Sequence, residues 1–161
     1  MDTNKHESPK RYPACILAAC CVPWKEDGTL AEEIFRREIR NLLTNLTRDI
    51  YLFGTAGEGY AVTDKQFDQI VRIFREETKQ SDVRGMVGII SLSLSTMIER
   101  IERAREIGIR QFQISLPSWG ALSDGELKTF FKETNGAERV ESCKNFRLLI
   151  ILIYFSKIKK Q

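Results

Sequence analysis

"YLFGTAGEGYAVTD", residues 51–64, places three glycines within six positions, between an apolar run and a helix-start signal. Glycine-rich turns between a strand and a helix can present backbone N–H groups to an anion. Gly54, Gly57 and Gly59 spell G-x-x-G-x-G, the reverse of the dinucleotide fingerprint, and no Lys-Ser/Thr of a phosphate loop follows. The helix signal comes only at Thr63, too late for its N-terminus to clamp a pyrophosphate. A small nest built from the N–H groups of Thr55, Ala56 and Gly57, with the Thr55 hydroxyl beside it, suits a carboxylate, which is planar and singly charged. The same glycines also suit a tight loop with no ligand, and the residues alone leave both readings open.

Outward from this turn the chain alternates strand and helix. "ACILAACCV" (14–22), "DIYLFG" (49–54), "VRGMVGIIS" (83–91) and "QFQISLP" (111–117) are short, nearly continuous apolar runs, as expected of strands in a parallel sheet. Between them lie helical stripes at Phe35, Ile39, Leu42, Leu43 and Leu46, at Phe67, Ile70, Val71 and Phe74, and at Ile98, Ile101, Ala104 and Arg105. Arg105 breaks the third stripe unless its stem lies along it with the charge in water. A fourth helix buries Leu127, Phe130 and Phe131, and Gly136 fits its C-cap. Thr63 with Gln66, and Ser123 with Glu126, match the capping-box spacing at two helix starts. Repeated β-α units imply a parallel sheet covered by helices. On length alone, 161 residues favour an open sheet over a (β/α)₈ barrel of about 250 residues.

Composition narrows the function classes. Hydrophobic residues are 42% and charged residues 29%, as in soluble globular chains. The formal charge of +3 is matched by Lys157, Lys159 and Lys160, so the body is close to neutral and carries no stripe for nucleic acid. The single histidine, His6, lies in a polar leader, and Cys15, Cys20, Cys21 and Cys143 have no C-x-x-C spacing, so neither a metal site nor a cofactor is expected. Cys15 and Cys21 fall in an apolar run and are expected to be buried free thiols of a reducing compartment. The first ten residues hold no secretory h-region, and the longest apolar run, "LLIILIYF" (148–155), is far short of the ~20 residues of a membrane helix. The expectation is a cytoplasmic protein that meets neither membrane nor nucleic acid.

"GTAGEGYAVT" (54–63) resembles the G-T-T-G-E-x-x-x-L-T signature of the dihydrodipicolinate synthase / N-acetylneuraminate lyase family. "VPWKEDGTL" (22–30) is similar to that family's first strand-to-helix turn. "GMVGIISLSLSTMIERIERAREIGI" is similar to its third unit, and "QFQISLPSWGALSDGELKTFFKE" to its fourth. The resemblance runs from about 14 to 136, roughly the first half of a family member. It implies a (β/α)₈ barrel, here an incomplete half barrel of four units plus a strand-like stub, and displaces the open sheet that length alone favours. An unrelated open-sheet binding protein remains only if the motif matches are chance.

The activity implied is that of a class I lyase or aldolase, which forms a Schiff base between a 2-oxo acid, usually pyruvate, and a lysine on strand six. Thr55 matches the hydroxyl residue that relays protons beside the imine. Gly54, Thr55, Ala56 and Gly57 match the carboxylate cradle. Ala56 stands where many members carry a second Thr, removing one hydroxyl donor; a hydrogen bond to a charged group contributes roughly 1.5–3 kcal/mol. Ser118-Trp119 stands where dihydrodipicolinate synthases commonly have Tyr-Tyr. An indole N–H only donates, so Trp119 points away from dihydrodipicolinate synthesis itself. Trp119 is either a substrate-side residue or a packing aromatic at the barrel mouth.

Tyr154 ends a strand-like run and is the one candidate for the family's substrate-activating tyrosine, although Phe155-Ser156-Lys157 follows in place of Asn-x-Pro. No strand-six lysine is found. Carbinolamine formation needs a neutral amine, and an exposed lysine is almost wholly protonated at pH 7. The sequence therefore divides into a polar leader (1–11), a partial barrel (12–136) and a divergent tail (137–161). The expected function is that of a member cut short before the catalytic lysine, binding a 2-oxo acid at the Gly-Thr-Ala-Gly turn without catalysis. The alternative is a non-catalytic half-barrel module that associates with a partner or a full-length paralogue. A half barrel leaves strand edges unpaired, so self-association is expected as well.

Overall fold

Four parallel strands lie side by side in chain order in the computed structural model, which describes residues 15–116, 120 and 122–136. They are β1 (Leu17–Cys20), β2 (Asp49–Leu52), β3 (Arg84–Ile89) and β4 (Gln111–Ile114). A helix follows each: α1 (Glu32–Asn45), α2 (Asp64–Glu77), α3 (Leu94–Glu106) and α4 (Asp124–Gly136). The order β1-β2-β3-β4 has no reversal and hence no switch point of the doubly wound kind. It is the sequential order of a barrel wall, which sets aside the open sheet favoured by length.

Register and the two-residue alternation of strands sort the sheet into two faces. Ala18, Cys20, Ile50, Leu52, Val87, Ile89 and Ile114 form a buried layer, and helix residues Phe35, Ile39, Phe67, Ile70, Phe74, Met97 and Ile101 join the same core. The other face carries Asp49 and Tyr51, Arg84 and Met86, Gln111 and Gln113. A polar face of this kind, opposite the helices, is the inner wall of a (β/α) barrel.

Both capping boxes form. Thr63 and Gln66 bond reciprocally at the start of α2, and Ser123 and Glu126 do so at α4. Arg36 joins α1 to α2 through Glu76 at 2.7 Å and Glu77 at 3.0 Å, and Arg40 adds a second bond to Glu77 at 2.7 Å.

Several sequence expectations need correction. The strands are shorter than the apolar runs, and Cys15 and Cys21 fall just outside β1, where both are exposed; among the described cysteines only Cys20 is buried. Leu46 is the C-cap of α1 rather than part of its stripe, and it is 54% exposed. The buried face of α3 is turned by one position, to Met97, Arg100, Ile101 and Ala104, while Ile98 and Arg105 are only partly buried. Arg100 can take a core position because its guanidinium finds partners there. It lies 5.0 Å from the Phe67 ring centre, 2.8 Å from Asp64 Oδ1 and 3.0 Å from the Val62 carbonyl. In α4 Phe130 is buried, Leu127 and Phe131 only partly, and Gly136 is the last helical residue rather than a cap beyond the end. Trp119, Cys143 and Tyr154, with the tail from 137 onward and the leader, lie outside the described residues.

Candidate functional site

At the carboxyl end of β2 the chain turns sharply, at the strand ends where ligands of β/α barrels sit. Phe53 takes a left-handed conformation, φ 62°, uncommon for a bulky residue, and its ring reverses towards the helices to stack on Phe67 at 5.3 Å. Residues Thr55–Gly57 then form a single 3₁₀ turn that the sequence pattern did not reveal. Gly57 N–H donates to the Gly54 carbonyl at 3.0 Å, and Glu58 N–H to the Thr55 carbonyl at 3.2 Å. Glu58 closes the turn in the left-handed region, φ 53°. The N–H groups of Thr55 and Ala56 open the turn and have no acceptor within it, as at the start of any helix. Of the nest expected from sequence, the Gly57 N–H is used inside the turn, while those of Thr55 and Ala56 lie at its start.

The glycines are set by close approach. A Cβ on Gly54 would lie 2.6 Å from the Tyr51 ring, and one on Gly59 would lie 2.7 Å from the Phe53 carbonyl oxygen. One on Gly57 would lie 3.1 Å from the Cys20 carbonyl at the end of β1. A fourth glycine, Gly88 on β3, belongs to the same arrangement: a Cβ there would collide with the Phe53 carbonyl oxygen and sit 2.8 Å from the Tyr51 hydroxyl. The tight-loop and nest readings of the glycines are thus compatible. Small residues let the turn seat on three strand ends, and its first two N–H groups lie at its start.

Gly54, Thr55, Ala56 and Gly57 are therefore brought together in one turn, with Thr55 exposed at its start. Beneath it, Tyr51 donates its hydroxyl to Gln113 Oε1, and Gln113 Nε2 donates to Ser115 Oγ at 3.1 Å. Burial pushes the Tyr51 hydroxyl pKa well above its ordinary value. Tyr51, Gln113 and Gly88 escaped the sequence reading. Their one shared signal is alternation on the inner face, which becomes usable only when the register of β2, β3 and β4 is known.

The described lysines, Lys25, Lys65, Lys79, Lys128 and Lys132, are all exposed, and none lies on a strand. Among the described residues there is no group of three or more His, Cys, Asp or Glu side chains placed to hold a metal ion, and no helix long and apolar enough to cross a membrane.

Residues 13–139 match the Dihydrodipicolinate synthetase family. Among curated proteins, the N-acetylneuraminate lyase of Haemophilus influenzae is 29% identical over 118 residues, 72% of this chain and 40% of that protein. The enzyme of the same name from Actinobacillus pleuropneumoniae is 28% identical over the same shares. The chain thus spans about 40% of the length of the curated relatives it matches. Among solved structures, N-acetylneuraminate lyase from Fusobacterium nucleatum superposes with a TM-score of 0.70 at 21% identity, over 75% of this chain and 42% of that one. A prophage protein of the dihydrodipicolinic acid synthase family from E. coli K12, in complex with pyruvate, superposes with a TM-score of 0.71 at 16% identity, over 75% of this chain and 40% of that one. These superpositions identify the fold as part of a TIM barrel.

Proposed function

Because the chain belongs to the Dihydrodipicolinate synthetase family, a family of lyase-type aldolases, we propose that its Gly54–Gly57 turn binds the carboxylate of a 2-oxo acid such as pyruvate. One observation carries this reading: a short turn seated on three strand ends starts at Thr55, which is exposed, and Ala56 follows it. Two N–H donors and one hydroxyl match the two oxygens of a carboxylate and the adjacent 2-oxo group. Charge-assisted bonds of that kind are the strong ones. The pyruvate complex of the E. coli relative supports the choice of ligand.

In the reaction so inferred, the carboxylate is held at the turn while an amine adds to the 2-oxo carbon. Thr55 is the hydroxyl placed to pass a proton to or from the carbinolamine oxygen, which leaves as water when the imine forms. The amine must be neutral and desolvated. The exposed lysines of the described residues do not meet that requirement. On this reading the described residues hold the 2-oxo acid, and none of their lysines supplies the amine of the imine step. By the family resemblance Trp119 is proposed as a substrate-binding residue and Tyr154 as the substrate-activating tyrosine; both lie outside the described residues.

The test has two parts. Pyruvate saturation-transfer NMR should show binding that T55V weakens, and borohydride with pyruvate should leave the mass of the chain unchanged. Absence of saturation transfer would remove the binding reading, and a stoichiometric adduct on one lysine would remove the inactive one.

A second reading, association through the sheet, has its own observation. Among the described strands β1 and β4 each pair on one side only. A second copy, or a full-length relative, pairing there would complete the hydrogen bonds of those edges.

A further inference from the structure

Tyr51 fills a place that phenylalanine would fill equally well by shape, yet it brings a hydroxyl into the inner wall. That hydroxyl is not left to water. It donates to Gln113 Oε1, and Gln113, only 6% exposed, passes a bond on to Ser115 Oγ at 3.1 Å. The chain crosses from β2 to β4 over the intervening β3, and it can do so because Gly88 leaves the space: a side chain there would sit 2.8 Å from the Tyr51 hydroxyl. The Tyr51 ring meanwhile lies against Gly54, the residue from which the ligand turn starts. A half-buried ring touching the turn, with its far end tied to a neighbouring strand, has one tilt rather than several.

We propose that Tyr51 is the positioning residue of the carboxylate turn: tied by its hydroxyl to Gln113 and Ser115, it sets the height of Gly54 and hence the direction of the Thr55 and Ala56 N–H groups. The functional half of this inference rests on the 2-oxo acid reading above, whereas the positional half concerns the unliganded protein. Burial keeps the phenol protonated and therefore a donor throughout the neutral range. Ser115 lies just past the end of β4, so the chain of bonds ends at the mouth where the strand ends converge.

The experiment compares the full chain with Y51F, Q113L and the double variant, reading three quantities. These are the backbone amide shifts of residues 54–57 without ligand, the Kd for pyruvate, and the urea midpoint. Y51F keeps the ring and removes only the bond, so folding is preserved, and Q113L reaches the same bond from the other strand. Loss of one neutral hydrogen bond corresponds to about fivefold in affinity. Each single variant is expected to move the turn amides and raise the Kd roughly fivefold, with the double variant no worse than either single. Turn amides that stay fixed in unliganded Y51F and Q113L overturn the proposal, as does a fall in midpoint with the Kd unchanged. Two effects that multiply to about 25-fold in the double variant overturn it too, since the residues would then act separately. If the parent chain binds no pyruvate but the turn amides still move in Y51F, the positioning stands and the 2-oxo acid reading fails.

Discussion

Gly88→Ala puts the seating of the turn to a quantitative test. The added Cβ would meet the Phe53 carbonyl oxygen in collision and lie 2.8 Å from both the Phe53 carbonyl carbon and the Tyr51 hydroxyl. Carbon contacts rest at about 3.5–4.0 Å, so the neighbours must retreat by roughly 0.7 Å or more. The obstacle is mainly backbone, and Phe53 is already held at φ 62°, so little can yield. Overpacking of this sort costs about 1–3 kcal/mol, against which alanine returns about 0.4–1 kcal/mol by stiffening the unfolded chain. The collision wins, and the net loss is about 1–2 kcal/mol. With a urea m-value of about 2 kcal/mol/M the midpoint falls by roughly 0.5–1 M. Gly125→Ala, in the first turn of α4, supplies the contrast, since a Cβ there meets nothing within 4 Å. That variant should gain roughly 0.5 kcal/mol. Urea unfolding followed by circular dichroism reads both. A midpoint for Gly88→Ala equal to or above that of the parent would refute the packing described for Gly88, Phe53 and Tyr51.

Four further outcomes follow from the same geometry. Thr55→Val keeps the shape of the turn but removes its hydroxyl; a bond to a charged group at about 1.5–3 kcal/mol predicts at least a tenfold rise in the pyruvate Kd by calorimetry. Arg100→Met removes the bonds to Asp64 and the Val62 carbonyl and the stacking on Phe67; because Asp64 is half exposed and rehydrates, the loss in chemical denaturation should be about 1–3 kcal/mol. The Arg40 and Arg36 guanidiniums hold the Glu77 carboxyl below its ordinary value, so its contribution is full above about pH 4.5 and is lost as pH falls through the lower folded-state value. Glu77→Gln should therefore flatten the acid limb of a stability–pH curve below about pH 4.5 while leaving its shape at neutral pH unchanged. Sedimentation velocity should show the average mass rising with concentration if the edges of β1 and β4 pair between copies, and a single monomeric boundary at all concentrations would oppose that reading.

Local signals carried much of the architecture. The capping boxes at Thr63 and Ser123 need only residues three apart, and both formed as the spacing indicated. The apolar stripe of α2 at Phe67, Ile70, Val71 and Phe74 is likewise complete in one stretch of chain. Ends were less legible: Leu46 continues the period of α1 but meets water, and Cys15 and Cys21 continue an apolar run beyond the last paired residue of β1. Arg100 carries no core signal in the sequence, because the groups that make its burial tolerable, Asp64 and the Val62 carbonyl, lie 36 and 38 residues earlier. At the candidate site the glycine turn was visible as a motif. Its supports were not, because Tyr51 and Gln113 are 62 residues apart and meet only through the register of three strands.

Mapping a pyruvate titration on the backbone amides of the full chain tests the central claim most directly. The account predicts saturable shifts concentrated at Thr55 and Ala56, with smaller ones at Gly54 and Gly57 and none along the outer faces of α1 to α4. Shifts that are absent at millimolar pyruvate, or that centre on another part of the fold, would contradict it.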